Sequence, residues 1–236
     1  MSFGDVQEYP VVYIADDGSE EDVRIGAMMD ENGWKMTFAI HPDESVFARH
    51  VKEPSQLRRD LYRRHHIANH SATHYDFRLL SSMTAREADA VVRREVCDAR
   101  KSLEDQYGKP VPDLVLPWGR YDAKAIEILS RPEYDLRSIR GVELRKGSDV
   151  VTPDPINVRG GKPYFYFPNC DFRDSQYWTY MSRAVGGFVA YSHTWEMSPS
   201  DWSVLKVSLE RHKSNRNRVM TLDDYINLRI QWTAGK

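Results

Sequence analysis

The stretch "VVYIADDGSEEDV" (Val11–Val23) sets the fold. Val11–Ala15 is β-branched and aromatic without polar alternation, which predicts a strand buried on both faces. Asp16 and Asp17 end that strand, and Gly18 permits a tight turn. Ser19 followed by Glu20, Glu21 and Asp22 predicts an N-cap and an acidic first helical turn, with the helix stopping near Gly33. Strand, turn and helix make one β/α unit.

The pattern then recurs. "KMTFAI" (Lys35–Ile40) is a second strand, Gln56–Arg64 a helix and "HIAN" (His66–Asn69) a short third strand. Thr84 and Glu87 have the spacing of a capping box. Ala88, Val91, Val92, Val96, Ala99 and Leu103 follow at helical spacing, predicting a long one-faced helix that ends at Gly108 and Pro110. "DLVLP" (Asp113–Pro117) is a strand, Ala123–Ser130 a helix, and "LRSIRGVEL" holds one or two short strands. Residues 146–172 read as an irregular insertion rich in Gly and Pro. Asp174–Val185 is helical, "GFVAYS" (Gly187–Ser192) a strand and Asp201–Lys213 a helix, and Thr221 caps the last one. Roughly seven such units, with no dinucleotide glycine fingerprint, predict an α/β barrel of mainly parallel strands, one domain over residues 1–236.

Composition narrows the function. The 236 residues carry a formal net charge of −2, which gives no global attraction to nucleic acid or to an anionic membrane. The basic run Glu210–Arg218 lacks interleaved aromatics and reads as a solvated loop. No apolar run reaches the ~20 residues that span a bilayer, and the first ten residues lack a signal-peptide pattern, so a cytoplasmic location is expected. Cys97 and Cys170 are read as buried thiols. The oligomeric state is left open.

Four of the eight histidines lie between His65 and His74. His70 and His74 are four apart, so on a turn of helix both imidazoles would reach one cation. The same pair reads equally as a chance, solvated one. A catalytic zinc-type site needs a third ligand, and the adjacent carboxylates Asp16 and Asp17 are the best source. Alone they read as a turn and helix cap; together with a cation, one carboxylate binds it and the other handles a proton. Position decides between these readings. Asp16–Asp17, His70–His74, Pro117-Trp118-Gly119 and His193 all follow the carboxyl ends of predicted strands, where parallel α/β folds gather their sites. His41, His50, His65, His66 and His212 receive no role. Trp118, Trp178 and Trp195 are read as sugar-stacking walls or as core, the two readings being equal for Trp118 and Trp195 and stacking weaker for Trp178.

"VVYIADDGSEEDV", "RHHIANHSATH", "LVLPWG", "FVAYSH" and "RVMTLDDYINL" resemble, in order, the signature segments of the polysaccharide deacetylases, carbohydrate esterase family 4. The resemblance implies a distorted (β/α)7-type barrel. It implies Asp17, His70 and His74 as ligands of a divalent metal, Zn²⁺ first and Co²⁺ or Mn²⁺ next. It also implies Asp16 as catalytic base, His193 as general acid and the Trp118 N–H as oxyanion donor. Acetyl groups would be removed from an N-acetylated or O-acetylated sugar. Hydrolysis of another linear or cyclic amide, or silent carbohydrate binding, are the alternatives. Val115 stands where the family carries an arginine that orients the base, Arg140 being the offered substitute and Trp195 a further support. Tyr191 replaces a leucine, and the family's Asp- and Trp-containing element has no match, Asp171 and Asp174 being nearby acidic residues.

Overall fold

The computed structural model describes residues 9–47, 55–141, 163–166, 170–174, 177–183 and 187–234. Most of the anticipated insertion at 146–172 therefore lies outside the described residues. The chain begins with strand β1 (Pro10–Asp17), helix α1 (Asp22–Glu31), β2 (Thr37–Ile40), α2 (Gln56–Arg64) and β3 (His66–Asn69). A long helical segment follows, α3 (Ala85–Val92) and α4 (Ala99–Tyr107), joined by a wide π turn over Arg93–Asp98. Then come β4 (Asp113–Val115), α5 (Ala123–Leu129), β5 (Ser138–Arg140), β6 (Tyr164–Tyr166), β7 (Cys170–Asp171) and α6 (Tyr177–Arg183). The described chain closes with β8 (Phe188–Ser192), α7 (Pro199–Ser214), β9 (Arg218–Met220) and α8 (Leu222–Ala234).

The strands form one sheet in the order β6-β5-β4-β3-β2-β1-β8-β7, with β9 also on β1. Every pairing is parallel. The sheet curls into a half-barrel, consistent with the distorted (β/α)7-type barrel that the resemblance implies.

Alternation along β1 separates two cores. Val11, Tyr13 and Ala15 pack outward with Ile25 and Met29 of α1 and with Trp202, Leu205 and Leu209 of α7. Val12 and Ile14 face inward with Ala39, Ala68, Val115 and Val189, and Leu222, Tyr225 and Ile226 of α8 pack against them. All of these are buried, each large side chain worth ~1.5–3 kcal/mol of transfer free energy. Period-two alternation continues the inward face to Asp16.

Local signals behaved unevenly. Thr84 and Glu87 form the expected capping box, and Thr221 Oγ1 accepts from the Asp224 N–H. Gly108 ends α4 in the left-handed conformation. Ser19, however, is not the cap of α1. The helix starts at Asp22, whose carboxylate is fully buried and accepts from the Ser19 N–H, the Tyr62 hydroxyl and the Thr194 hydroxyl. Ser19 Oγ instead meets Thr194 Oγ1 at 2.7 Å, so the β1–α1 turn is fastened to the segment after β8. Burial raises Asp22 to about 6 against those hydrogen bonds. Cys170 is buried as anticipated, but Cys97 is only partly so. Among the described residues, no helix is long and apolar enough to cross a membrane.

Candidate active site

The carboxyl ends of β1, β2, β3, β4 and β8 meet at one mouth. Of the six described non-glycine residues with positive φ, four are here: Asp17 (77°), Ser71 (66°), His74 (57°) and Trp118 (60°). Asp and His tolerate that region better than most residues, whereas a tryptophan there is strained, and such strain gathers at functional sites. Asp17 is followed by Gly18 at φ 77°, where a Cβ would stand 3.2 Å from Ile40 Cγ2. Two consecutive left-handed residues turn the Asp17 carboxylate away from the direction that strand alternation would give it.

His70 and His74 do not lie on a helix. They follow β3 in a loop whose bends at Ser71 and His74 bring the rings to 5.2 Å centre to centre. Asn69 Oδ1 accepts from the Ser71 N–H, Ser71 Oγ from the Tyr75 N–H, and the buried Glu95 carboxylate from the Thr73 N–H. Glu95 lies within the π turn after α3, a distortion often found beside functional sites. The convergence that helical spacing suggested is real, but a clamped loop produces it.

His70 Nε2 lies 3.2 Å and His74 Nε2 3.4 Å from Asp17 Oδ1, a buried oxygen without a hydrogen-bond donor of its own. Donors bonded tetrahedrally to one zinc-sized ion stand roughly 3.3 Å apart, so the spacing fits a shared cation. His70 Nδ1 donates to the Val115 carbonyl at 2.8 Å, which leaves Nε2 as the unprotonated donor. Burial opposes charge on Asp17, yet His70 and His74, with His193 nearby, hold its carboxyl well below the usual range. Burial also lowers His74, favouring the neutral imidazole that binds metal.

His41, given no role from sequence, also belongs here. Asp17, His41, His70 and His74 each offer a ligand atom, all within 4.8 Å of one another. Burial and the neighbouring His70 lower His41 to about 3. The signal was available: His41 directly follows the second predicted strand, at the same end as the others.

Asp16 faces the barrel interior and forms a buried ion pair with Arg140. The guanidinium sits 4.9 Å from the Tyr191 ring centre. Val115 and Arg140 are register partners on β4 and β5, so an arginine on the next strand occupies the level of the missing one. Tyr191, the other departure, is the surface on which it rests.

His193 follows β8, its Nε2 3.6 Å from Asp17 Oδ2 and its Nδ1 3.4 Å from Glu196 Oε2. Glu196 is held by Arg173, which also grips Asp171 with Nε and Nη2. Trp195 Nε1 donates to Asp17 Oδ2 at 3.2 Å, so its part-buried ring is fixed beside the carboxylate. Trp118 is 57% exposed with its ring 4.6 Å from that of His74, which removes the core reading for it. Trp178 packs against His212, Tyr177 and Arg211, away from this mouth.

Solved structures share the fold at low identity. A Mycobacterium smegmatis protein proposed to be a polysaccharide deacetylase is 14% identical over 98% of this chain and 93% of that one, with a TM-score of 0.66. T48 deacetylase with substrate is 16% identical over 93% and 92%, with a TM-score of 0.56. A family 4 carbohydrate esterase pseudoenzyme from Bacillus anthracis is 13% identical over 94% of this chain and 66% of that one, with a TM-score of 0.58. No curated protein matches the sequence. The polysaccharide deacetylase family model matches residues 4–136, more than half of the chain and the segment that supplies Asp16, Asp17, His41, His70, His74 and Trp118. The chain therefore belongs to the polysaccharide deacetylase family.

Proposed function

We propose that the chain is a metal-dependent deacetylase that removes acetyl groups from an N-acetylated sugar or glycan. One observation carries this reading. A buried carboxylate clamped by an arginine, Asp16, stands next in sequence to the carboxylate that faces two imidazoles at ligand spacing. Carbohydrate binding alone requires no such pairing of carboxylates.

Asp17, His70 and His74 would hold the cation, Zn²⁺ before Co²⁺ or Mn²⁺ given their nitrogen-rich donor set. The chemistry available from it is Lewis acidity toward the amide carbonyl and the attacking water. Asp16 takes the proton from that water as the water oxygen bonds to the carbonyl carbon, and Arg140 keeps the carboxylate aimed. The Trp118 N–H supplies a hydrogen-bond donor for the oxygen that gains charge. His193, oriented by Glu196 through Nδ1, gives a proton from Nε2 to the nitrogen as the C–N bond breaks. Acetate and a free amine leave. The exposed Trp118 ring and the fixed Trp195 ring offer apolar faces to a pyranose.

The test is acetate release from N-acetylglucosamine oligomers, peptidoglycan fragments, O-acetylated xylan and small amides, with Zn²⁺ supplied. Turnover on an N-acetylated glycan that falls ~10³-fold in Asp16→Asn, with bound metal unchanged, fits general-base chemistry. Turnover on small amides alone moves the substrate assignment to the amidohydrolase alternative. No turnover on any of them, with metal bound, leaves a silent carbohydrate-binding relative.

A further inference from the structure

We propose that His41 is a fourth protein ligand of the same cation, making the centre three imidazoles and one carboxylate. The proposal rests on the reading of Asp17, His70 and His74 as a metal centre and adds a donor to the three that family resemblance supplies.

Topology places His41 between the other ligands. Strand β2 lies between β1 and β3, and Ile40 is the register partner of Asp17 on one side and of Asn69 on the other. His41 and His70 are each one residue beyond that aligned row, and the His70 N–H donates to the Ile40 carbonyl at 3.0 Å. Alternation along β2 puts His41 on the side of Ala39, whose side chain joins the inner core.

The ring is oriented as a ligand should be. His41 Nδ1 lies 2.8 Å from the Ser71 carbonyl, which can only accept, so Nδ1 carries the proton and Nε2 carries the lone pair. His70 uses the same arrangement with the Val115 carbonyl. The Ser71 carbonyl belongs to the loop that carries His70 and His74, so the orientation of His41 depends on that of the other two. The three imidazole centres form a near-equilateral triangle, His41–His70 5.0 Å, His41–His74 5.5 Å and His70–His74 5.2 Å. Rings bound through nitrogen to one five-coordinate ion, at roughly 90–120° to one another, would have centres roughly 4.5–5.5 Å apart, from the usual zinc–nitrogen length and the size of the ring.

A fourth ligand has a chemical consequence. Three nitrogens and one oxygen shift selectivity toward Zn²⁺ and Co²⁺ and away from Mg²⁺ and Mn²⁺. His41 is buried, whereas His193 is 30% exposed on its side chain, so His41 would occupy a coordination position from the barrel side. With four protein ligands the ion would be five-coordinate, the position nearest Trp118 and His193 being left for water or substrate.

The test is X-ray absorption on the zinc-loaded full chain and on His41→Gln, with Zn²⁺ affinity measured on both after chelation. Three imidazoles in the parent, two in the variant, and a loss of affinity exceeding the ~10–100-fold typical of losing an outer-sphere partner are the expected results. Two imidazoles in the parent with zinc bound would overturn the His41 proposal and leave the three-ligand reading standing. No zinc uptake by the parent would overturn both. The parent spectrum decides the matter even if His41→Gln fails to fold.

Discussion

The barrel carries a cluster of histidine and aspartate at each end, and only one looks like a place for a cation. At the carboxyl end stand Asp17, His41, His70 and His74; at the amino end stand His66, Asp113 and Asp223, also close enough to ligate one ion. The amino-end cluster supplies its own cation. Arg137 grips both oxygens of Asp113 and reaches Asp223, while Ser138 Oγ donates to Asp113 at 2.7 Å. His66 Nε2 lies 3.4 Å from the same aspartate, and Thr37 Oγ1 meets its Nδ1 at 3.1 Å. Burial opposes ionisation of Asp113, but His66 and Arg137 keep its carboxyl below the usual range. At the other end Arg140 pairs with Asp16, not with Asp17. Similar donors thus make a structural ion-pair knot where an arginine fills the centre, and a candidate metal site where the arginine pairs with the residue before Asp17.

Four perturbations sharpen that contrast. The largest effect is expected from His193→Ala, which should lower the turnover of an N-acetyl substrate by ~10²–10⁴-fold. An activated aryl acetate, whose leaving group needs no proton, should lose far less; equal losses on both would remove His193 from the acid role. Next, Arg137→Ala leaves Asp113 buried without its partner and should cost about 3 kcal/mol in urea unfolding. Zinc stoichiometry should be unaffected, and a variant that instead gained a second zinc would show the lower cluster to be a latent site.

Third comes the acid side. Burial holds His65 and His212 at about 4, so the unfolded chain, at its ordinary ~6.5, binds protons that the fold excludes. Their contribution is present above pH ~6.5 and is lost as the pH falls toward 4. Asp22, at about 6, works in the opposite sense, its contribution lost as the pH rises from ~4 to 6. With His41, which burial lowers to about 3, three imidazoles outweigh one carboxyl, and the stability of the chelated protein rises with pH across this window. A flat profile contradicts that balance. The smallest effect is expected from Arg140→Lys, which keeps the charge beside Asp16 and loses the guanidinium geometry over Tyr191. A drop of about 10-fold in kcat, with KM and metal binding unchanged, is expected.

The contrast between the two ends also shows how far the sequence could be read. Which residues end strands was legible, because buried β-branched runs such as "VVYIA" and "GFVAYS" stop abruptly at polar residues, and that placed Asp16, Asp17, His70 and His193 at one mouth. Pairing across strands was not legible. That Arg140 stands at the level of Val115 depends on a register that no single segment encodes. His41 escaped because it is one histidine with no spacing partner; its partners lie on neighbouring strands. The spacing of His70 and His74 suggested the right convergence for the wrong reason, since turns at Ser71 and His74, held by Asn69 and Glu95, do the work assigned to a helix. Ser19 failed as a cap because its hydroxyl meets Thr194, far away in sequence, while a buried aspartate, Asp22, takes its N–H.

The central claim is that the carboxyl-end cluster, and not its counterpart, binds a divalent ion. Zinc titration of the chelated chain, repeated on Asp17→Asn and Asp113→Asn, tests it directly. One equivalent should be bound by the parent, lost in Asp17→Asn and kept in folded Asp113→Asn. A parent that takes up no zinc, or one whose zinc is untouched by Asp17→Asn, would contradict it.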